Sequence, residues 1–297
     1  MDIIDLHTHT TASDGSLTPT ELVAAAQRAG LKAVAITDHD TVDGVAEALA
    51  AGAALGQAVA PGVEISLQGY PAQGLPGSMH LLGLFLDHAD PDLGAGLARL
   101  QRARAERNPQ IVAKFNQLGI PLTLEEVAAF AGGELIGRPH FAQALIARKV
   151  VANRGEAFAR YLAVGKPAYV AKWRFPPAEG ISLLKRAGAV TVLAHPGLFK
   201  MGLAGLEALL RRLMADGLDG VEAYYSEHDP AYTRAVLGLA ARLGLVVSGG
   251  SDFHGGQKPD ILLGLGRGDL RVPAGLLAGL EERRRAVLAS ATVTTHN

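Results

Sequence analysis

The sequence predicts an α/β protein whose βα units wind around a parallel sheet or barrel, with a helical insertion breaking the series. Three observations carry that reading. Short apolar runs alternate with amphipathic stretches along most of the chain. Several of those runs end in clusters of histidine and acidic residues. The block from about residue 90 to residue 164 is helical in pattern and contains no convincing apolar strand.

The elements follow in order. Ile3 to Leu6 reads as a strand, and HTHTTASDGS after it as a loop. Thr18-Pro19-Thr20-Glu21 has the form of a capping box with proline at the first helical position. The helix it opens, through Leu22, Val23, Ala26 and Ala29, stops at Gly30. A strand at Ala33 to Ile36 ends in TDHDT, and an Ala-rich helix over Val45 to Leu55 leads to a strand near Gln57 to Ala60, then GVEIS. A further strand is expected from Met79 to Leu86.

In the insertion, Pro109 should end or kink the first long helix. Its basic run RLQRARAER has charges at helical spacing and reads as a solvated face. Beyond it come a helix near Ala178 to Ala187 and a strand at Ala189 to Leu193 ending in AHP. A helix at Leu203 to Ala215 precedes a strand at Gly220 to Ala223, followed by YYSEH. A helix from Pro230 to Leu243 precedes a strand at Leu245 to Ser248 that runs into GGSDFH, and a last helix spans about Ala274 to Ala289.

Composition narrows the chemistry. Of 297 residues, 48% are apolar and 19% charged, which describes a globular protein with a sizeable core. The net charge of −1 offers no global attraction for long nucleic acid or an anionic membrane, so an anionic substrate must be held by local charge. Cysteine is absent, which leaves histidine and carboxylates as the only strong metal ligands. The start MDIIDLHTHT lacks the form of a secretion signal, and no run of about 18 apolar residues is present, so a cytoplasmic location is expected.

The histidine motifs belong together. Side chains two apart on an extended segment point the same way, so His7 and His9 can grip one ion. His39 follows the second strand, Glu64 the third, and His80 lies on the fourth. His195 ends a strand, Asp252 and His254 again lie two apart, and Asp14 sits one short loop beyond His9. In a βα barrel such strand ends converge on one face. A lone histidine near a strand end is ordinarily a hydrogen-bonded structural residue; five such motifs in one chain are another matter. Nine ligands exceed the roughly three that a catalytic zinc takes from protein, so two or three divalent ions are expected. Mixed imidazole and carboxylate ligands suit Mn²⁺, Fe²⁺ or Zn²⁺ better than Mg²⁺ or Ca²⁺.

Through HTHT followed by SDG, ITDHDT, GVEIS, the lone His80, LAHPG and GSDFH, the sequence resembles the PHP (polymerase and histidinol phosphatase) family over nearly its whole length. The resemblance implies a distorted seven-stranded βα barrel with a three-metal site, and Mn²⁺ as the ion. Carried over, His7, His9, Glu64 and Asp252 hold one ion, Asp14, His39 and His254 a second, and His80 and His195 a third that Glu64 bridges. Residues 1–89 and 165–297 would form the barrel, with 90–164 capping its mouth. The insertion, with GRPHFA and GKPAYV, is similar to the 3′,5′-nucleoside bisphosphate phosphatase branch, which removes a 3′-phosphate by attack of metal-activated hydroxide. Three other activities stay open: histidinol-phosphate phosphatase, a 5′–3′ exonuclease on short oligonucleotides, and hydrolytic deamination or amide hydrolysis. A non-catalytic nucleotide sensor is the remaining class.

A phosphate ester also needs cationic donors, and arginine matches phosphate oxygens with a two-pronged fork. Arg138 in IGRPH, at the start of a helix opened by Pro139, is the first candidate. Lys172 in VAKWR and His228 in YYSEH come next, then Lys166 and His140. Arg138 and Lys172 would position the ester and shield charge in the transition state, and His228 could protonate the leaving oxygen. Trp173 could stack on a base or serve the core, and His296 lies in the tail.

Overall fold

Strands β1 (Ala33–Ile36), β2 (Ala58–Gln68), β3 (Ser78–Leu84), β4 (Val190–Leu193), β5 (Gly220–Tyr225) and β6 (Val246–Gly250) lie side by side in chain order. They make a curled sheet, a half-barrel, in a computed structural model that describes residues 2–75, 77–133 and 135–294. His296 lies outside the described residues.

The sheet is not uniformly parallel. β1 pairs with β2, and β4 with β5 and β5 with β6, in parallel, but β3 runs antiparallel to both β2 and β4. The cause is the connection: a parallel crossover takes about a dozen residues or more, whereas β2 and β3 are joined only by residues 69–77 and a short 3₁₀ turn. The reversal brings the start of β3 to the sheet end where its neighbours finish, so His80 pairs with Ser66, two residues beyond Glu64.

The expected strand at Ile3 to Leu6 forms isolated bridges instead of a ladder, so among the described residues the sheet has six strands where seven were expected. Its backbone divides its bonds between the two edge strands. Asp5 N–H donates to Ala33 O and Asp5 O accepts from Ala35 N–H on β1, while Leu6 N–H donates to Gly249 O on β6. Gly250 matters here, because a Cβ on it would fall 2.4 Å from His7 N. β2 is longer than expected and takes in GVEIS, so Glu64 sits within a strand, and β3 ends early where Phe85 adopts a φ of 63°.

Ten helices are present among the described residues: α1 (Pro19–Arg28), α2 (Val45–Leu55), α3 (Pro91–Gln117), α4 (Leu124–Ala128), α5 (Arg138–Ala147), α6 (Arg154–Ala157), α7 (Pro177–Arg186), α8 (Leu203–Ala215), α9 (Pro230–Leu243) and α10 (Leu276–Thr294). The capping box opens α1 as expected, with Thr18 Oγ1 accepting from Glu21 N–H and Glu21 returning the bond. None of the described helices is long and apolar enough to cross a membrane.

One expectation for the insertion is narrowed and another needs correction. Pro109 does not end α3, which continues for eight residues beyond it, to Gln117. Burial of Leu100, Ile111 and Phe115 on either side of it holds the turn that lost a hydrogen bond. Nor is the basic run simply a solvated face, since Arg104 and Arg107 are buried. The insertion packs around its own apolar cluster, in which Ile111, Phe115, Phe141, Leu145 and Leu162 are fully buried, and the cluster reaches past residue 164 to Ala168.

Candidate metal centre and adjoining anion cavity

Five imidazoles converge on Glu64, which is fully buried. Its Oε2 lies 3.5 Å from His7 Nε2, 3.4 Å from His9 Nε2 and 2.8 Å from His39 Nδ1, and its Oε1 lies 2.8 Å from His80 Nδ1 and 2.9 Å from His195 Nε2. β1, β2, β3 and β4 and the segment before β1 deliver these groups, with the reversed β3 supplying His80 from its start. On the far side, Asp252 Oδ1 lies 3.2 Å from His9 Nε2 and 3.8 Å from His7 Nε2. Asp14 Oδ1 lies 3.3 Å from His254 Nε2 and 3.9 Å from His39 Nε2. All nine expected residues therefore meet in one place.

Four sets of ligand atoms lie close enough to share an ion: His9, Asp14, His39 and His254; His7, His9 and Asp252; His7, Glu64 and His195; and His39, Glu64 and His80. The groups fit cations on two counts. Among the described residues, His7 Nε2, both nitrogens of His9, Asp14 Oδ2, His39 Nδ1, Glu64 Oε2, His195 Nδ1 and His254 Nε2 are buried with no aligned hydrogen-bond partner. Buried polar atoms are rarely left so, and here six of the eight face other groups of the cluster. Their spacing fits as well, since ligand bonds of about 2.0–2.2 Å in a tetrahedron put the ligand atoms ~3.4 Å apart.

A surrounding layer sets the imidazole tautomers. Glu222 Oε1 accepts from His7 Nδ1 at 2.9 Å, and its Oε2 accepts from the His195 backbone N–H at 2.6 Å. His254 Nδ1 donates to the Asp252 carbonyl at 2.8 Å, leaving Nε2 bare. Such outer partners commonly orient metal ligands. Asp252 and His195 hold left-handed backbone, with φ of 58° and 31°, a costly state for residues with side chains.

Charge follows geometry. Burial alone would raise the carboxyls of Asp14, Glu64 and Asp252, yet neighbouring imidazoles, and Lys258 beside Asp252, hold all three well below the carboxylate range. Burial pushes His9 and His80 down to about 4 and His254 to about 3, the neutral, ligating form.

Beside Asp14, His39 and His80 opens a cavity of about 190 Å³ lined by Arg104, Arg107, Arg138, Arg154, Lys172 and Arg174. Arg104 and Lys172 share a buried counter-charge in Asp40, which accepts from Lys172 Nζ at 2.9 Å and from Arg104 Nε at 2.8 Å on the same oxygen. Burial pushes Lys172 down to about 7 and Arg138 to about 10. Burial and neighbouring guanidinium groups push Arg107 down to about 9.

Of the residues expected to meet the substrate, Arg138, His140 and Lys172 line this cavity. Arg138 opens α5 beside Pro139, and its Nη1 donates to Leu162 O at 3.0 Å. His140 Nδ1 accepts from Gly137 N–H at the same helix start. Lys166 is exposed and does not line it. His228 lies elsewhere, with Nδ1 bonded to Ala223 O and Nε2 accepting from Gly197 N–H, so neither ring nitrogen is free. Trp173 packs on Phe175 and under Arg99. Sequence reasoning missed Arg104, Arg107, Arg154, Arg174 and Asp40. The signal for two of them was present: Arg104 and Arg107 stand three apart on one helix face.

Comparison with known proteins agrees with this geometry. Residues 5–124 match the PHP domain model. A 3′,5′-nucleoside bisphosphate phosphatase from Chromobacterium violaceum is 36% identical over 252 residues, 84% of this chain and 87% of the relative. The 5′-3′ exoribonuclease Rnm of Escherichia coli is 34% identical over 276 residues, 92% of this chain and 91% of the relative. A crystal structure from Bifidobacterium adolescentis, provisionally described as a metal-dependent phosphoesterase, superposes with a TM-score of 0.82 at 33% identity, covering 94% of this chain and 95% of that one.

Proposed function

This chain belongs to the PHP family, and from that premise we propose that it is a metal-dependent phosphatase that removes the 3′-phosphate of a nucleoside 3′,5′-bisphosphate. The observation that carries the reading is the pairing of a cation-binding cluster with an adjoining cavity of five arginines and a lysine. A single phosphate at the metal-facing end does not need that second positive wall. A substrate with two phosphates does, one at each end.

Nine residues are proposed to hold the ions: His7, His9, Asp14, His39, Glu64, His80, His195, Asp252 and His254. The chemistry that two or three divalent ions supply when bound there, with Mn²⁺ proposed over Fe²⁺ or Zn²⁺, is Lewis acidity, which makes a water acidic near neutral pH and offsets charge on phosphoryl oxygens. The chain's own part is placement. Glu222 and the Asp252 carbonyl keep His7 and His254 in the tautomer that presents Nε2 to the centre. Arg138, Arg107 and Lys172 take the distal phosphate, with Arg104 and Arg174 beside them, and fix how far the ester reaches toward Asp14 and His39. Arg104, Arg107, Arg138 and Arg154 come from residues 90–164, which supports reading that block as a cap over a barrel built from 1–89 and 165–297.

A second reading has its own observation. A further cavity of about 470 Å³ shares Arg104 and Leu135 with the first, enough room for the next nucleotide of a short 5′-phosphorylated oligonucleotide. The test is direct. Protein purified with Mn²⁺ should release phosphate from adenosine 3′,5′-bisphosphate far faster than from histidinol phosphate. Equal rates would overturn the bisphosphate reading, and mononucleotide release from a 5′-phosphorylated dinucleotide without phosphate release would favour the second.

A further inference from the structure

The two oxygens of Asp252 live in different surroundings. Oδ1 faces the cluster, within 3.2 Å of His9 Nε2 and 3.8 Å of His7 Nε2. Oδ2 faces away and accepts two hydrogen bonds, from Lys258 Nζ at 2.6 Å and from Tyr225 Oη at 2.9 Å. The other two carboxylates of the cluster have no such arrangement. Both oxygens of Glu64 look toward imidazoles, and Asp14 Oδ2 is buried without a partner.

Lys258 is not a loose surface lysine that happens to reach an acid. Its side chain is 23% exposed, and the turn that carries it is tied down on both sides. Gly256 N–H donates to Ser16 Oγ at 2.7 Å, beside the loop that holds Asp14. Gln257 Oε1 accepts from Gln143 Nε2 of α5 at 2.5 Å, and Lys258 N–H donates to Gly255 O. The Tyr225 ring is buried between His195 and His228, with centroids 5.6 and 5.2 Å away.

An ammonium this close to a cation-binding cluster repels a metal, so it needs a compensating effect. Fixing one carboxylate supplies it. A monodentate carboxylate can rotate about its Cβ–Cγ bond or chelate with both oxygens, and two donors on Oδ2 oppose both motions. We propose that Lys258 and Tyr225 clamp the outer oxygen of Asp252, and that Lys258 is thereby a positioning residue for the ion held by His7, His9 and Asp252. The inference rests on the metal-centre reading above but not on the choice of substrate.

Metal binding to the chelator-stripped, full-length protein tests it, followed by calorimetric titration with Mn²⁺ and by metal counting. Wild-type protein that binds no Mn²⁺ would defeat the metal-centre reading itself. If wild type binds, Lys258→Met, which keeps the apolar stem, should weaken one site by about 10–100-fold, the usual effect of losing an outer partner. Lys258→Arg should recover part of that loss. Tyr225→Phe, which removes only a hydroxyl and preserves the ring packing, should weaken the same site and serves if Lys258→Met does not fold. Unchanged Mn²⁺ affinity in the folded variants would overturn the clamp. Tighter binding in Lys258→Met would also overturn it, showing that the ammonium only repels the ion.

Discussion

Lys172 Nζ stands 2.9 Å from Asp40 Oδ2, and Asp40 directly follows His39. The metal cluster and the anion cavity are therefore built on one turn, TDHDT, whose successive residues face opposite tasks. Asp40 has a φ of 56° and also accepts from the Ser66 backbone N–H at 2.8 Å, so the turn has little freedom. Breaking a buried ion pair from one side leaves the other charge uncompensated, at a cost of about 3–5 kcal/mol. Asp40→Asn strands both Lys172 and Arg104, and denaturant unfolding should show a loss near the top of that range. A loss under ~1 kcal/mol would mean that water reaches these cations freely.

Removing the ions should also be felt in stability. Without them, eight buried nitrogen and oxygen atoms of the cluster keep no aligned partner. An ion present at about 100 times its dissociation constant contributes ~2.7 kcal/mol, so chelation should lower Tm by several degrees and Mn²⁺ should restore it. His9→Ala should abolish turnover while the far-ultraviolet circular dichroism stays native. Near-wild-type activity in that variant would sink the assignment, because His9 belongs to two of the four ligand sets.

The division of labour between cluster and cavity predicts a selective defect. Arg138 lines the cavity at the start of α5 and is absent from every ligand set. A hydrogen bond to a charged group is worth roughly 1.5–3 kcal/mol, so Arg138→Ala should lower kcat/KM for adenosine 3′,5′-bisphosphate by about 10–100-fold. A phosphomonoester with no second phosphate should lose far less. Equal losses on both would place Arg138 at the reacting phosphate instead.

Much of this site was legible in the sequence, and the reason is local. His7 and His9 lie two positions apart, where extended backbone aims both side chains the same way. Asp252 and His254 show the same spacing, although the left-handed backbone at Asp252 sends them to different ligand sets. What could not be read was long-range. Whether Ile3 to Leu6 forms a full strand depends on how far β1 and β6 diverge, and the direction of β3 depends on a connection too short for a crossover. The cavity shows the same limit. Arg138 and Lys172 stood beside recognisable motifs, but Arg104 and Arg107 sit in a run whose charge pattern is that of a solvated helix face. Only the packing of α3 against Asp40 and the segment around Ile136 shows that this face turns inward. His228 marks the converse, since a polar residue after a strand end can be wholly taken up by backbone groups, here the Ala223 carbonyl of the strand before it and the Gly197 N–H of the turn after β4.

Lys172 makes the cavity sensitive to pH. Burial, its largest influence, drives the ammonium down to about 7, with Asp40 opposing that shift and Arg104 adding to it. The amine is charged below that value and neutral above it. A cation whose pKa is depressed on folding binds fewer protons in the folded chain between about 7 and its ordinary 10.5, so it makes stability rise with pH across that window and contributes no slope below it. Anion binding has the opposite sign, because the charged amine attracts and the neutral amine does not. The dissociation constant for sulfate, measured on metal-stripped protein, should therefore increase as pH rises from about 6 to 8, and sulfate binding at pH 8 should take up protons. Lys172→Arg carries a charge that does not titrate there, so its sulfate affinity should change much less over the same range. The remainder comes from His39, which also lines the cavity and whose pKa, against the effect of burial, Glu64 and Asp14 raise. A flat wild-type profile would mean that Asp40 keeps Lys172 charged throughout, and that the cavity meets its anion with all six cations in place.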